Sequence, residues 1–157
     1  MLLRKNFLVI AKEIVSSLIA MHEKNILHLN FNCNHILYKE SAPGEPCIKI
    51  IGCRLSSSNE NKANRDLIKH DLHCISPEQT RRFNRKVDFR SDFYSLSIIF
   101  YKLLTKIYPF ESNTPLKLIN FHIAQDTPLA VSVNPEISIS IGNMVSKLLN
   151  KSLDERY

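Results

Sequence analysis

The stretch SDFYSLSIIFYKLLTKIYPF, residues 91–110, decides the fold. Phe93, Leu96, Ile98, Ile99, Phe100, Tyr101, Leu103 and Leu104 cannot share one face of a helix at a period of 3.6 residues. A helix that is apolar almost all the way round is buried on most sides, so other elements must pack around it. Ser91 and Asp92 are both good N-caps and stand at the positive end of the helix dipole, and Lys106 followed by Pro109 predicts a stop near Tyr108. The run is too short, and too interrupted by Tyr, Ser and Lys, for a membrane span.

The remaining chain supplies elements to surround such a helix. With 157 residues, 44% hydrophobic and 23% charged, it has the size of one domain with a core of its own. N-terminal to the hub, residues 7–23 predict an amphipathic helix. Phe7, Ala11, Ile14, Leu18 and Met21 lie on one stripe with Leu8, Val15 and Ile19 beside it, and Asn25 suits a left-handed residue past its end. Residues 26–35, ILHLNFNCNH, read as a loop whose Asn side chains bond their own backbone. Ile36–Tyr38 and Ile48–Ile51 read as strands of a hairpin with a Pro43-Gly44 turn between them. Residues 56–71 are polar and loop-like.

C-terminal to the hub, residues 115–125 predict a helix with Leu116, Ile119 and Ile123 on one side. A loop with Pro128 and Pro135 follows, and then a last helix over 138–149 carrying Ile141, Met144, Val145, Leu148 and Leu149. Glycine is scarce, at three residues, so each one present calls for a reason.

Charge and cysteine usage narrow the function classes. The net charge of +6 is moderate, and the basic run Arg81, Arg82, Arg85, Lys86 and Arg90 lacks interleaved aromatics or a nucleic-acid motif; it reads as a solvated surface. Cys33, Cys47, Cys53 and Cys74 form no C-x-x-C pair. Cys33 with His35, and His70-x-x-His73-Cys74, match no zinc spacing. No secretory signal opens the chain, so the cysteines are expected as reduced thiols of a cytoplasmic protein.

The order of helix, His-containing loop, hairpin, polar loop, S-P-E, buried helix opened by Asp, two helices and D-x-R-Y resembles the C-terminal lobe of a eukaryotic-type protein kinase. Residues 71–110, DLHCISPEQTRRFNRKVDFRSDFYSLSIIFYKLLTKIYPF, are similar to the kinase-like domain of fungal and bacterial hybrid sensor histidine kinases. Those carry an S-P-E-Q-T-G-R-M-N-R run, and here an arginine replaces its Gly. The resemblance implies a mainly α (α+β) fold, helices around a buried central helix with a short β-hairpin, spanning residues 1–157. It also implies that the N-lobe, with its Gly-rich loop and ATP lysine, is absent and that the last helix is truncated, as in a fragment.

For the site, the resemblance sets His28 to His35 against the H-R-D-L-x-x-x-N catalytic loop. Asn30 then stands where the carboxylate base belongs, and an amide cannot take a proton from a substrate hydroxyl. Asn32 replaces the Lys near the transferred phosphate, His35 the Asn for a second magnesium, and Leu29 the Arg that reads a phosphorylated loop. In place of D-F-G stand Gly52, Cys53 and Arg54, so no carboxylate awaits Mg²⁺ and Arg54 would repel it. No catalytic residue is intact. The family would use ATP and Mg²⁺; with these residues no cofactor or metal is expected.

The structural positions keep their family identities. His28 packs, Asp92 accepts hydrogen bonds from the catalytic-loop backbone, and Glu78 pairs with Arg156 in a buried ion pair. Retained structure beside erased chemistry implies a pseudokinase: a regulatory or interaction domain of a hybrid histidine kinase in a phosphorelay. Its partner would be a protein or the remaining domains of a longer chain, not nucleic acid or membrane. Two other readings stay open. One is a divergent serine/threonine kinase recruiting Asp71 or Asp66 as base. The other is a standalone binding protein that docks through the face an N-lobe would cover.

Overall fold

The computed structural model describes the chain apart from Met1 and residues 43–44, 54–70, 81 and 83–86; at residues 2–6, 41, 42 and 45 it describes the backbone. The expected Pro43-Gly44 turn, most of the polar loop with Arg54, Asp66 and His70, and Arg81, Arg85 and Lys86 of the basic run therefore lie outside the described residues.

Five helices and one hairpin are described. They are α1 (Leu2–His22), β1 (Ile36–Ala42), β2 (Glu45–Ile50), α2 (Phe89–Thr105), α3 (Pro115–Ala124), α4 (Ala130–Val133) and α5 (Ile139–Leu148). The fold is the mainly α arrangement expected, with helices around a buried central helix and a short antiparallel hairpin.

Helix α2 is the hub, and its sequence explains why. Leu96, Ile98, Ile99, Phe100, Tyr101 and Leu104 are all buried, with Phe93 and Leu103 packed half-buried against the same cluster. Ser95 and Ser97, interspersed among them, are buried too and find acceptors. Ser95 Oγ donates to Cys74 O at 2.7 Å, and Ser97 Oγ donates to Tyr94 O at 2.6 Å.

Both ends of α2 differ from the sequence expectation. The N-cap is Asp88, extended at φ −138°, whose carboxylate accepts the Arg90 N–H at 2.8 Å. Ser91 and Asp92 lie inside the first turn, which frees the Asp92 side chain for another task. The helix stops at Thr105, short of Tyr108, because Lys106 turns left-handed at φ 69° and returns its N–H to Lys102 O.

Helix α1 lays its predicted stripe on this hub. Phe7, Ala11, Ile14 and Leu18 are buried, and Phe7 meets Phe100 edge-on at 5.4 Å between ring centroids. Leu8 and Ile19, expected to flank the stripe, are about half exposed. The helix ends where Asn25 adopts φ 57°, the left-handed residue expected there.

The strands run longer than the sequence suggested. Ile36 pairs with Ile50 at the open end, and a register shift lies between Glu40 and Ala42 near the turn.

The buried face of α3 is offset from the expected one: Ile119 and Ile123 are half-buried at its edge. Leu116 is 65% exposed, whereas Leu118 and His122 are buried. A polar His in the stripe hid the correct period. Segment 126–137, expected as loop, contains α4, whose Val131 side chain approaches α5 so closely that a Cβ at Gly142 would lie 2.6 Å from it. That close approach gives Gly142 its reason.

The corrected face has a measurable consequence. Leu118→Ala should cost about 2–5 kcal/mol in urea denaturation, while Leu116→Ala should stay within about 0.5 kcal/mol of the parent chain.

Candidate functional site

The segment between α1 and β1 forms the site, and buried groups hold it from below. The Asp92 carboxylate, fully buried in the first turns of α2, accepts the backbone N–H of His28 and of Leu29, both at 2.8 Å. The oxygen that accepts the His28 N–H, Oδ2, also meets His22 Nε2 at 2.9 Å, from the last turn of α1. Leu29 sits at φ 55°, a conformation a branched side chain resists. It is gripped on both sides: Asp92 holds its N–H, and Gln79 Nε2 donates to its carbonyl at 2.7 Å. The Gln79 amide is oriented in turn by Ser76, whose N–H and Oγ both donate to Oε1, at 3.2 Å and 3.0 Å.

Above this clamp the loop ties itself together with neutral groups. The His28 ring is buried; Nδ1 accepts the Asn30 N–H at 3.3 Å, so the proton sits on Nε2, which donates to Ile51 O at 2.9 Å. Burial pushes the His28 pKa below its ordinary value, more than its bond to Ile51 and the Asp92 charge can offset. The Asn32 Oδ1 accepts the Asn34 N–H at 2.9 Å, which turns Nδ2 toward Asn30 O at 3.0 Å. His35 Nδ1 stands 2.7 Å from the same carbonyl and must donate to it, since a carbonyl oxygen only accepts. The His35 and His28 rings stack at 5.8 Å.

Asn30, Asn32, His35, His28 and Gly52 thus come together. His35 O accepts the Ile51 N–H at 2.9 Å, so the hairpin ladder continues past Ile36 and carries Gly52 to the His35 ring. Gly52 is left-handed at φ 74°. The Cys53 thiol donates to Leu27 O at 3.4 Å. All four cysteines are free, and among the described residues no group of three or more His, Cys, Asp or Glu side chains is placed to hold a metal ion.

Glu78 and Arg156 lie apart from this loop, near the start of α2. They pair through both guanidinium Nη atoms, at 2.8 Å and 3.1 Å, with both side chains fully buried. Arg156 also donates to the carbonyls of Asn150 (2.7 Å), Arg90 (3.0 Å) and Lys151 (3.4 Å), and lies over the Tyr94 ring at 4.9 Å. Burial alone would raise the Glu78 pKa, but the Arg156 hydrogen bonds and charge hold it below the usual range. A fully engaged pair of this kind fixes geometry more than it adds net stability.

Next to this pair lies a group that sequence reasoning missed. Lys151 Nζ donates to Tyr94 Oη at 3.3 Å, so the hydroxyl proton is free for His122 Nδ1, 3.0 Å away. Burial lowers the His122 pKa to about 3 and that of Lys151 to about 8, so the imidazole stays neutral. Also missed were Gln79, His22 and the N-cap pairing that removes Arg90 from the free surface. Arg90 reaches Asp88 at 2.8 Å and Asp154 at 2.9 Å. Gln79 adjoins S-P-E, and its spacing carries no signal of its clamp on Leu29. Arg82 likewise donates to Asn120 at 2.6 Å.

Comparison with known proteins gives this arrangement its family. The model of the protein kinase domain matches residues 3–157. The chain belongs to the protein kinase family, and its fold is that of the kinase C-terminal lobe. A hybrid signal transduction histidine kinase G of Dictyostelium discoideum is 45% identical over 85 residues, 54% of this chain and 2% of that protein. The peroxide stress-activated histidine kinase mak2 of Schizosaccharomyces pombe is 31% identical over 97% of this chain and 7% of its own length. A probable serine/threonine-protein kinase PknB of Lactococcus lactis is 28% identical over 94% of this chain and 23% of its own length. The chain therefore spans less than a quarter of each of these relatives.

Kinases of this family use ATP with magnesium. The residues present do not fit that ion. Position 52 has no side chain, and a Cβ built there would lie 2.7 Å from two atoms of the His35 ring. Further, no helix among the described residues is long and apolar enough to cross a membrane.

Two outcomes follow from the buried groups. His28 and His122 have folded pKa values below their unfolded ones, so their contribution is complete above about pH 6.5 and is lost as the pH falls, because the unfolded chain takes up protons first. Glu78 adds its own loss only below its ordinary carboxylate range near 4.5. Stability should therefore fall between pH 6.5 and 4.5 by as much as about 1.4 kcal/mol per pH unit from His122, with His28 adding to the fall in the same direction. His122→Gln should make that slope shallower in urea titrations run across the window. Separately, Glu78→Ala, which leaves the Arg156 charge buried without its partner, should cost about 3–5 kcal/mol by the same measurement.

Proposed function

We propose that this chain is a non-catalytic, kinase-like regulatory or interaction domain. In this reading it belongs to a hybrid histidine kinase of a two-component phosphorelay in the cytoplasm, and any histidine phosphorylation takes place in other domains. It works with a protein partner or with the remaining domains of a longer chain, rather than with nucleic acid.

The observation that carries the reading is the state of the catalytic-loop backbone at Asn30. Where a working kinase presents a carboxylate base, this chain has an amide, and the Asn30 carbonyl is occupied by Asn32 and His35. An amide has no basicity for the substrate hydroxyl proton. The scaffold groups, by contrast, are fully engaged: Asp92 on the loop and Glu78 on Arg156. The similarity to hybrid histidine kinases supports the parent context.

A divergent serine/threonine kinase is the second reading, and Asp71 is the observation in its favour. Asp71 lines a small cavity together with Asn30, Phe31 and Gln79. Its Oδ1 is already shared by the N–H and the ring Nδ1 of His73, at 3.1 Å and 2.8 Å. The cavity, about 10 Å³, has room for about one water rather than a substrate side chain. Asp66, the other candidate base, lies outside the described residues.

The test uses the longer protein that contains this region. With millimolar ATP and magnesium, Asn30→Ala and Asp71→Asn in this region should leave phosphotransfer to serine and threonine substrates unchanged at background. Transfer above background that Asp71→Asn abolishes would establish the second reading and end the first.

A further inference from the structure

We propose that His35 and Gly52 form a matched pair, in which the imidazole fills the space that any side chain at position 52 would need. The metal site is then shut by shape as well as by the missing carboxylate, and returning an Asp to position 52 cannot reopen it while His35 remains. The inference rests on the non-catalytic reading of the loop and adds to it the residue that keeps the site closed.

The geometry makes the pairing specific. A Cβ at Gly52 would lie 2.7 Å from His35 Cδ2, 2.7 Å from Nε2 and 2.9 Å from Cε1. Those are adjoining atoms of one rigid ring, not the tip of a flexible chain that can step aside. The ring is also held in place. Nδ1 donates to Asn30 O at 2.7 Å, the His35 carbonyl accepts the Ile51 N–H at 2.9 Å, and its face stacks on His28, which is itself bonded to Ile51 O. Turning His35 away would break the bond to Asn30 and leave that carbonyl to Asn32 alone. Gly52 has a second reason to stay Gly, its φ of 74°, and the two reasons are separable by experiment.

An Asn at position 35 would keep a donor near Asn30 O but lacks the outer ring atoms, Nε2 and Cε1. The closure therefore depends on the size of the side chain at 35, not on its charge.

A double-mutant cycle tests the pair. Gly52→Ala should lower the Tm by about 5 °C or more when His35 is present, since the new methyl group meets both the ring and the left-handed backbone. In chains carrying His35→Ala the same change should lower it by about half as much, because only the backbone strain is left, and His35→Asn, which keeps an atom in the place of Cδ2 but loses Nε2 and Cε1, should fall between. Two replacements at 35 guard against one of them failing to fold. Equal Tm losses in the three backgrounds would overturn the proposal.

A second arm follows Mn²⁺ by paramagnetic broadening of loop resonances. The chain with both Gly52→Asp and His35→Asn should respond more strongly than Gly52→Asp alone; equal response in the two, including none in either, would overturn the claim that His35 bars the ion. Phosphotransfer by the parental protein would defeat the non-catalytic reading yet leave the Tm cycle as it was, so the two failures are told apart.

Discussion

A buried carboxylate holds the structure together at the point where its segments meet. Asp92 is wholly inside the protein and, among the described residues, is paired with no Lys or Arg. It is satisfied by backbone donors from His28 and Leu29 and by the His22 ring. A charge in that position is tolerable only if several donors converge on it, so the loop must come to the helix rather than the reverse. The left-handed Leu29 follows from this, for its amide and its carbonyl are both fixed, by Asp92 and by Gln79. With Leu29 fixed, residues 30–35 have little choice about where they run, and the hairpin that starts at Ile36 is aimed by them. The hub helix therefore positions the loop, through Asp92 and through the core that Phe31 shares with it, while β2 packs against α1.

Position in a helix decides what an acidic residue can do, and here the sequence misled. Asp88, Ser91 and Asp92 are all fit to cap, and composition alone cannot say which one does. The structure gives the cap to Asp88, which brings Arg90 with it, and so releases Asp92 to face the loop. The pairing of Asp92 with the loop was legible only through its resemblance to a kinase. The same holds for Glu78 and Arg156, 78 residues apart in sequence, a separation no periodicity can bridge.

Helical stripes were legible where they were purely apolar, as in α1, and lost where a buried His stood in the stripe, as at His122. His122 is neutral and bonded to the Tyr94 hydroxyl, so for packing it behaves as an aromatic residue. A hydropathy count places it among polar residues and turns the face of α3 toward Leu116. Gln79 escaped for a different reason: an exchange of one side-chain amide for two donors and one carbonyl has no signature in spacing. The prolines flanking segment 130–133 announce an interruption and hide a helix of one turn that fits between them.

The loop chemistry makes sense as a consequence of removing charge. Carboxylates at the base and metal positions of a kinase would face one another across a few ångströms, and without a cation each would raise the other's pKa or push the loop apart. Amides and neutral imidazoles have donors as well as acceptors, so they can satisfy one another with no ion between them. Asn32 uses both ends of its amide in this way, and His28 uses both ring nitrogens. His35 then closes the remaining gap by lying against a residue without a side chain. The described loop is tied by its own hydrogen bonds, and under the proposed function these would hold its shape toward a partner. Such internal satisfaction is what the proposed regulatory or interaction role asks of a kinase scaffold whose loop positions carry amides and imidazoles in place of acids.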